Sequence, residues 1–113
     1  TGGWGHGLGE ALMEKIVYDE AGQLLTGSLM DYAVPRAVDM PDLEIHQFST
    51  ASPMNELGAK GVGEAGTIGA PAAVMNGLLD ALAPLGIKHL DMPATSETVW
   101  QAIARAGREQ SER

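Results

Sequence analysis

The chain contains no cysteine. It can therefore supply no disulfide, no iron–sulfur cluster and no thiolate ligand to a metal. Aromatic residues make up only 4% of it, against 44% hydrophobic residues in total. Any core must be built from Leu, Ile, Val, Ala and Met. Positive charge is also scarce: seven Lys and Arg stand against fifteen Asp and Glu, for a net charge of −8. Nucleic acid and anionic membrane surfaces attract proteins through a positive field, so neither is expected as a partner. No apolar run is expected to reach membrane-spanning length, and no basic-then-apolar start marks a secretory leader. With the missing cysteines, these features lead us to expect a cytoplasmic location.

What remains is a chain of 113 residues, the size of one domain. A domain this small buries only about two-thirds of its unfolded surface and is marginal on its own. It opens on Thr1-Gly2-Gly3-Trp4-Gly5 without an initiator Met. We read residues 1–113 as the end portion of a longer protein, with apolar faces that an upstream part would cover.

The patterning predicts an α+β fold. Leu8, Leu12 and Ile16 share a helical stripe, which predicts a helix over about 7–15. Ile68, Ala72, Met75, Leu79 and Leu82 predict a second helix over about 67–83. Thr67 is its candidate N-cap, Pro71 falls in its first turn, and Pro84 and Gly86 stop it. Thr95 caps a third helix over about 95–106, which carries Val99, Trp100 and Ile103. Short strands are expected at about 15–19 and 23–26, joined by the turn Asp19-Glu20-Ala21-Gly22. Two more are expected at about 43–49, where residue types alternate, and at about 87–92.

Between these elements lies a glycine-rich loop, 52–66. Its Gly61-Val62-Gly63-Glu64-Ala65-Gly66 matches G-x-G-x-x-G, and Asp91 ends the next expected strand. A dinucleotide site on Gly61, Gly63 and Gly66 would need a strand running directly into the first glycine. Met54 to Lys60 do not read as one, and Glu64 would set a carboxylate beside a pyrophosphate. Two other readings of Glu64 stay open on the residues alone. It can be a general base held among small residues beside a flat ligand. It can equally cap the following helix or pair with Lys60. His6, His46 and His89 show no ligand spacing and read as ordinary histidines.

A resemblance carries the reading further. Lys60-Gly61-Val62-Gly63-Glu64-Ala65-Gly66-Thr67-Ile68-Gly69 is its most specific part. Ile87-Lys88-His89-Leu90-Asp91-Met92-Pro93, Thr98-Val99-Trp100-Gln101-Ala102-Ile103 and Gly22-Gln23-Leu24-Leu25-Thr26-Gly27-Ser28 add to it. These runs resemble the C-terminal end of molybdenum hydroxylase large subunits, the xanthine dehydrogenase, aldehyde oxidase and carbon monoxide dehydrogenase type. The resemblance covers nearly the whole chain and implies part of a larger molybdopterin-binding domain.

It also implies roles. Glu64 would be the base that deprotonates a molybdenum-bound hydroxyl during oxidation of an aldehyde, an N-heterocycle or carbon monoxide. Lys60, Gly61, Val62 and Gly63 would line the cofactor, a molybdenum pyranopterin in its cytosine dinucleotide form. No residue of the chain is expected to ligate the metal. The family's main cofactor-gripping segments and substrate loop match nothing in these residues, so the chain alone is expected to hold no cofactor and to be inactive. The implied partners are the rest of the large subunit, iron–sulfur and flavin domains or subunits, and a small-molecule substrate. A non-catalytic structural fragment of the same fold is the alternative.

Overall fold

A computed structural model describes residues 1–111, and the backbone alone for Gln110. The described residues form four α-helical segments: α1 (Gly2–Leu12), the single turn α2 (Ala65–Ile68), α3 (Ala70–Leu82) and α4 (Ser96–Ser111). Short 3₁₀ turns stand at Ala37–Asp39 and Ala83–Leu85. No strand is present among the described residues, which corrects the α+β expectation to a helical architecture with long irregular connections.

Each expected strand fails for want of a partner. At 15–19 and 23–26 the chain does turn back. Asp19 Oδ1 accepts from the backbone of Ala21 and Gln23, and Gly22 takes φ +80°, which suits glycine. The pairing stops at one antiparallel bridge, Tyr18 with Leu24. Segment 43–49 alternates in type but has no face to bury, since Ile45 is 62% and Phe48 92% exposed. Alternation marks a strand only where a neighbouring edge and a covering layer exist. Segment 87–92 runs beside helices, where Leu90 packs on the core as a loop residue.

Helix α1 begins five residues earlier than its stripe predicts. Gly2, Gly3, Gly5, Gly7 and Gly9 each cost it roughly 1 kcal/mol of helix propensity relative to Ala. Packing overrides that cost. A Cβ on Gly3 would lie 3.0 Å from the Thr67 backbone nitrogen, and one on Gly7 would lie 2.5 Å from the Ala70 Cβ. The glycine face of α1 thus meets α2 and the start of α3 at backbone contact. The helix ends at Leu12, which leaves Ile16 off the stripe and 62% exposed.

The second expected helix is broken. α2 stops at Gly69, and α3 follows with Pro71 in its first turn, where no amide is needed. Ala65–Leu85 taken together, 21 residues with an 18-residue stretch of mean hydropathy 1.3, is by length and composition enough to cross a membrane, with 17% of that stretch buried. That corrects the expectation that no run reaches such length. The interruption at Gly69 and the packing of α1 along it favour a helix that packs on protein. Gly86, at φ +79°, closes its far end. Thr95 caps α4 through Oγ1, which accepts from Thr98 N at 3.3 Å.

Ala11, Met75 and Ala94 form the core, with Leu12, Val74, Leu78, Leu90 and Val99 around them. Ala94 N donates to Ala11 O at 2.7 Å, tying the loop before α4 to the end of α1. This core is small. The radius of gyration is 18.6 Å, where a compact domain of this length gives about 13 Å. Met30 and Leu57 are each 92% exposed, so large apolar surfaces await cover.

One latch has a measurable signature. Tyr32 Oη donates to Glu14 Oε2, which fastens the 28–36 loop to the end of α1. That bond, then desolvation and the Glu14 charge, raise the Tyr32 phenol above its ordinary 10.0. A raised phenol favours the neutral form. The latch therefore contributes stability below the ordinary tyrosine range and loses it as pH climbs through the raised value. In an absorbance titration, Glu14→Gln should bring the Tyr32 ionisation down toward the ordinary tyrosine value. An unchanged Tyr32 ionisation in that variant would show that Glu14 is not the cause.

Candidate functional site

Glu64 sits at the N-cap of α2 in a helical backbone conformation, φ −96° and ψ −4°. Its side chain makes no capping bond. Among the described residues it has no ion pair and no side-chain hydrogen bond. Both structural explanations of this glutamate, helix cap and Lys60 partner, are therefore unrealised here. Its backbone carbonyl is engaged, accepting from Thr67 N at 2.9 Å and Ile68 N at 3.2 Å. Glu64 lines a groove of about 660 Å³ together with His6, Glu10, Thr67, Ile68, Met75 and Met92.

Lys60, Gly61 and Val62 lie elsewhere. They line a second groove of about 460 Å³ with Phe48, Thr50 and Leu57. Lys60 Nζ donates to Thr50 Oγ1 at 2.7 Å. Gly63 lines neither groove. Four of the five residues singled out in sequence are thus divided between two grooves, Lys60, Gly61 and Val62 in one and Glu64 in the other.

The glycines themselves are informative. A Cβ on Gly61, Gly63 or Gly69 would meet nothing within 4 Å, and none of the three has positive φ. No contact among the described residues requires glycine there, and the 60–63 backbone is open to close approach from outside the chain. Gly66 differs, because its Cβ would lie 3.2 Å from Trp4 N, so it is needed by α1. The G-x-G-x-x-G run consequently serves two purposes, and no strand leads into Gly61. That is not the geometry of a dinucleotide fingerprint.

Several participants escaped the sequence reading. His6 and Glu10, one turn apart on α1, share the Glu64 groove. Their i, i+4 spacing was the available signal. Thr67 is not the N-cap: it lies inside α2, and its Oγ1 donates to Gly3 O at 3.1 Å. The Trp4 Nε1 is buried and has no acceptor among the described residues. Among the described residues no group of three His, Asp or Glu could hold a metal ion.

Comparison with known proteins gives this geometry a context. The family described as "Molybdopterin cofactor-binding domain" matches residues 1–41. The nicotine 6-hydroxylase large subunit of Paenarthrobacter nicotinovorans is 46% identical over 101 residues, covering 89% of this chain and 12% of that one. The carbon monoxide dehydrogenase large chain of Hydrogenophaga pseudoflava is 39% identical over 102 residues, covering 90% and 13%. The crystal structure of quinoline 2-oxidoreductase from Pseudomonas putida 86 superposes with a TM-score of 0.85 at 42% identity, covering 91% of this chain and 13% of that one. The elongated path is thus one that a solved protein adopts within a far longer polypeptide, whose remainder can cover the exposed apolar faces. The chain spans 12–13% of the length of these relatives. It belongs to the family of molybdenum hydroxylase large subunits, a family of oxidoreductases.

Proposed function

We propose that the chain forms one wall of the catalytic centre of a molybdenum hydroxylase and that Glu64 is its general base. The observation that carries this is a carboxylate with no hydrogen-bond or ion-pair partner among the described residues, held at a helix start on the wall of a groove. Family membership supplies the context. When bound, the cofactor supplies two-electron oxidation of the substrate carbon. Glu64 accepts the proton released as the attacking oxygen forms its bond to that carbon. Gly61, Val62 and Gly63 offer bare backbone to the cofactor, and Lys60, held by Thr50 Oγ1 in the groove it shares with Gly61 and Val62, adds a positive charge there. The cofactor is the cytosine dinucleotide form. The holoenzyme includes the rest of the large subunit with iron–sulfur and flavin partners, and it is cytoplasmic.

The substrate is an N-heterocycle, an aldehyde or carbon monoxide. Two relatives at 46% and 42% identity are named for nicotine and quinoline, which favours the heterocycle. Residues 1–113 by themselves offer too little surface to retain the cofactor. In the full-length enzyme, metal analysis should find stoichiometric molybdenum, and acid hydrolysis should release CMP. The isolated 113-residue chain should hold neither. Molybdenum bound by that chain alone would overturn the partial-wall reading, and a full-length enzyme without molybdenum would overturn the function. Glu64→Gln in the full-length enzyme tests the base.

A further inference from the structure

The contact between α1 and the Glu64 turn has an unusual property. It is formed by Gly3 and Gly66, whose added Cβ atoms would sit 3.0–3.4 Å from the opposing backbone. Such a surface has no side-chain ridges to interlock, and ridges in grooves are what normally fix the register of packed helices. Two smooth backbones can slide at little cost. Something directional must set where the turn sits on α1.

Among the described residues, one side-chain hydrogen bond joins the two: Thr67 Oγ1 to Gly3 O, 3.1 Å, across 64 positions of sequence. A carbonyl oxygen has two lone pairs, so Gly3 O can serve this bond and the helix ladder together. Through its backbone nitrogen the same Thr67 grips the Glu64 carbonyl at 2.9 Å. Thr67 and Glu64 line the same groove. One residue therefore fixes the base's own peptide on one side and α1 on the other.

We propose that Thr67 is the positioning residue for Glu64, setting the carboxylate's place in the groove through its hydroxyl bond to Gly3. This rests on the reading of Glu64 as the base. The hydroxyl takes no part in proton transfer. It removes the freedom that a glycine-on-glycine contact would leave, and small misplacements of a reacting group are expensive.

The test compares Thr67→Val and Thr67→Ser in the full-length holoenzyme, with turnover measured on quinoline, an aromatic aldehyde and carbon monoxide. Val keeps the β-branched shape and loses the donor, and Ser keeps the donor. Expected for Val is a fall in kcat of about 10- to 100-fold, with KM and molybdenum content unchanged. Ser should recover most of the rate. Adding Thr67→Val to Glu64→Gln should cost little more than Glu64→Gln alone, because the two act as one unit. Wild-type kcat in the Val variant would overturn the proposal. So would a loss of cofactor in step with activity, or a Ser variant as impaired as Val. A fully active Glu64→Gln variant would instead sink the base assignment, whatever the Thr67 variants do.

Discussion

Glu64→Gln in the full-length enzyme should lower turnover by about 10³-fold, within the range that positioned bases contribute, while molybdenum and pterin content stay near wild type. The amide has the shape of the carboxylate and cannot accept the proton. The separation of the two readouts follows from the structure. Glu64 makes no side-chain hydrogen bond to its helix and no ion pair among the described residues, so Gln breaks no internal contact. Gly61, Gly63 and Gly69 offer their backbones to open space and do not depend on the Glu64 side chain. Loss of rate with loss of cofactor would mean that Glu64 holds the cofactor rather than the proton. Retained rate would remove it from the chemistry and leave the chain as a structural wall. Glu64→Asp adds a check on placement. It keeps the charge, withdraws it by one methylene, and should fall between wild type and Gln.

Residues with a strong local signal were legible in the sequence. Thr95 is a capping residue before an apolar-periodic stretch and does cap α4. Pro71 is tolerable only in a first turn and lies in one. Asp19 to Gly22 carries turn chemistry and makes the turn. Illegible were features set by what surrounds the chain. The alternation at 43–49 reads as a strand because the pattern presumes a layer to cover it, and Ile45 and Phe48 show that none is present. The start of α1 lies earlier than expected because five glycines argue locally against a helix, whereas close packing on Gly66 and Ala70 demands glycine at Gly3 and Gly7. That error hid the site's other side. With the helix begun at 7, His6 falls outside it, and the His6–Glu10 pair facing Glu64 is not visible. The Lys60–Glu64 run was legible as a motif, but its division between two grooves is a tertiary fact.

Gly7→Ala should damage the enzyme, and Gly2→Ala should be harmless. An alanine at either position gains roughly 1 kcal/mol of helix propensity. At Gly2 the new Cβ meets nothing within 4 Å, so the gain stands. At Gly7 it would lie 2.5 Å from the Ala70 Cβ and 2.9 Å from the Pro71 Cδ. Ordinary carbon contacts stand at about 3.5–4.0 Å, so α1 must retreat from α3 by roughly 1 Å. Neither obstacle is the end of a flexible side chain, so neither can swing aside. Overpacking of this kind costs about 1–3 kcal/mol, which exceeds the helical gain. The retreat also lifts Gly3 from Thr67 and so disturbs the turn that carries Glu64. We expect Gly7→Ala in the full-length enzyme to lower thermal stability and to lower kcat by up to about 10²-fold, the cost of a displacement of this size at a reacting group. Gly2→Ala should match or exceed wild-type stability at unchanged kcat. Equal behaviour of the two variants in thermal denaturation and turnover would show that α1 is not held against α3 at backbone contact, and the packing that places Glu64 would have to be redrawn.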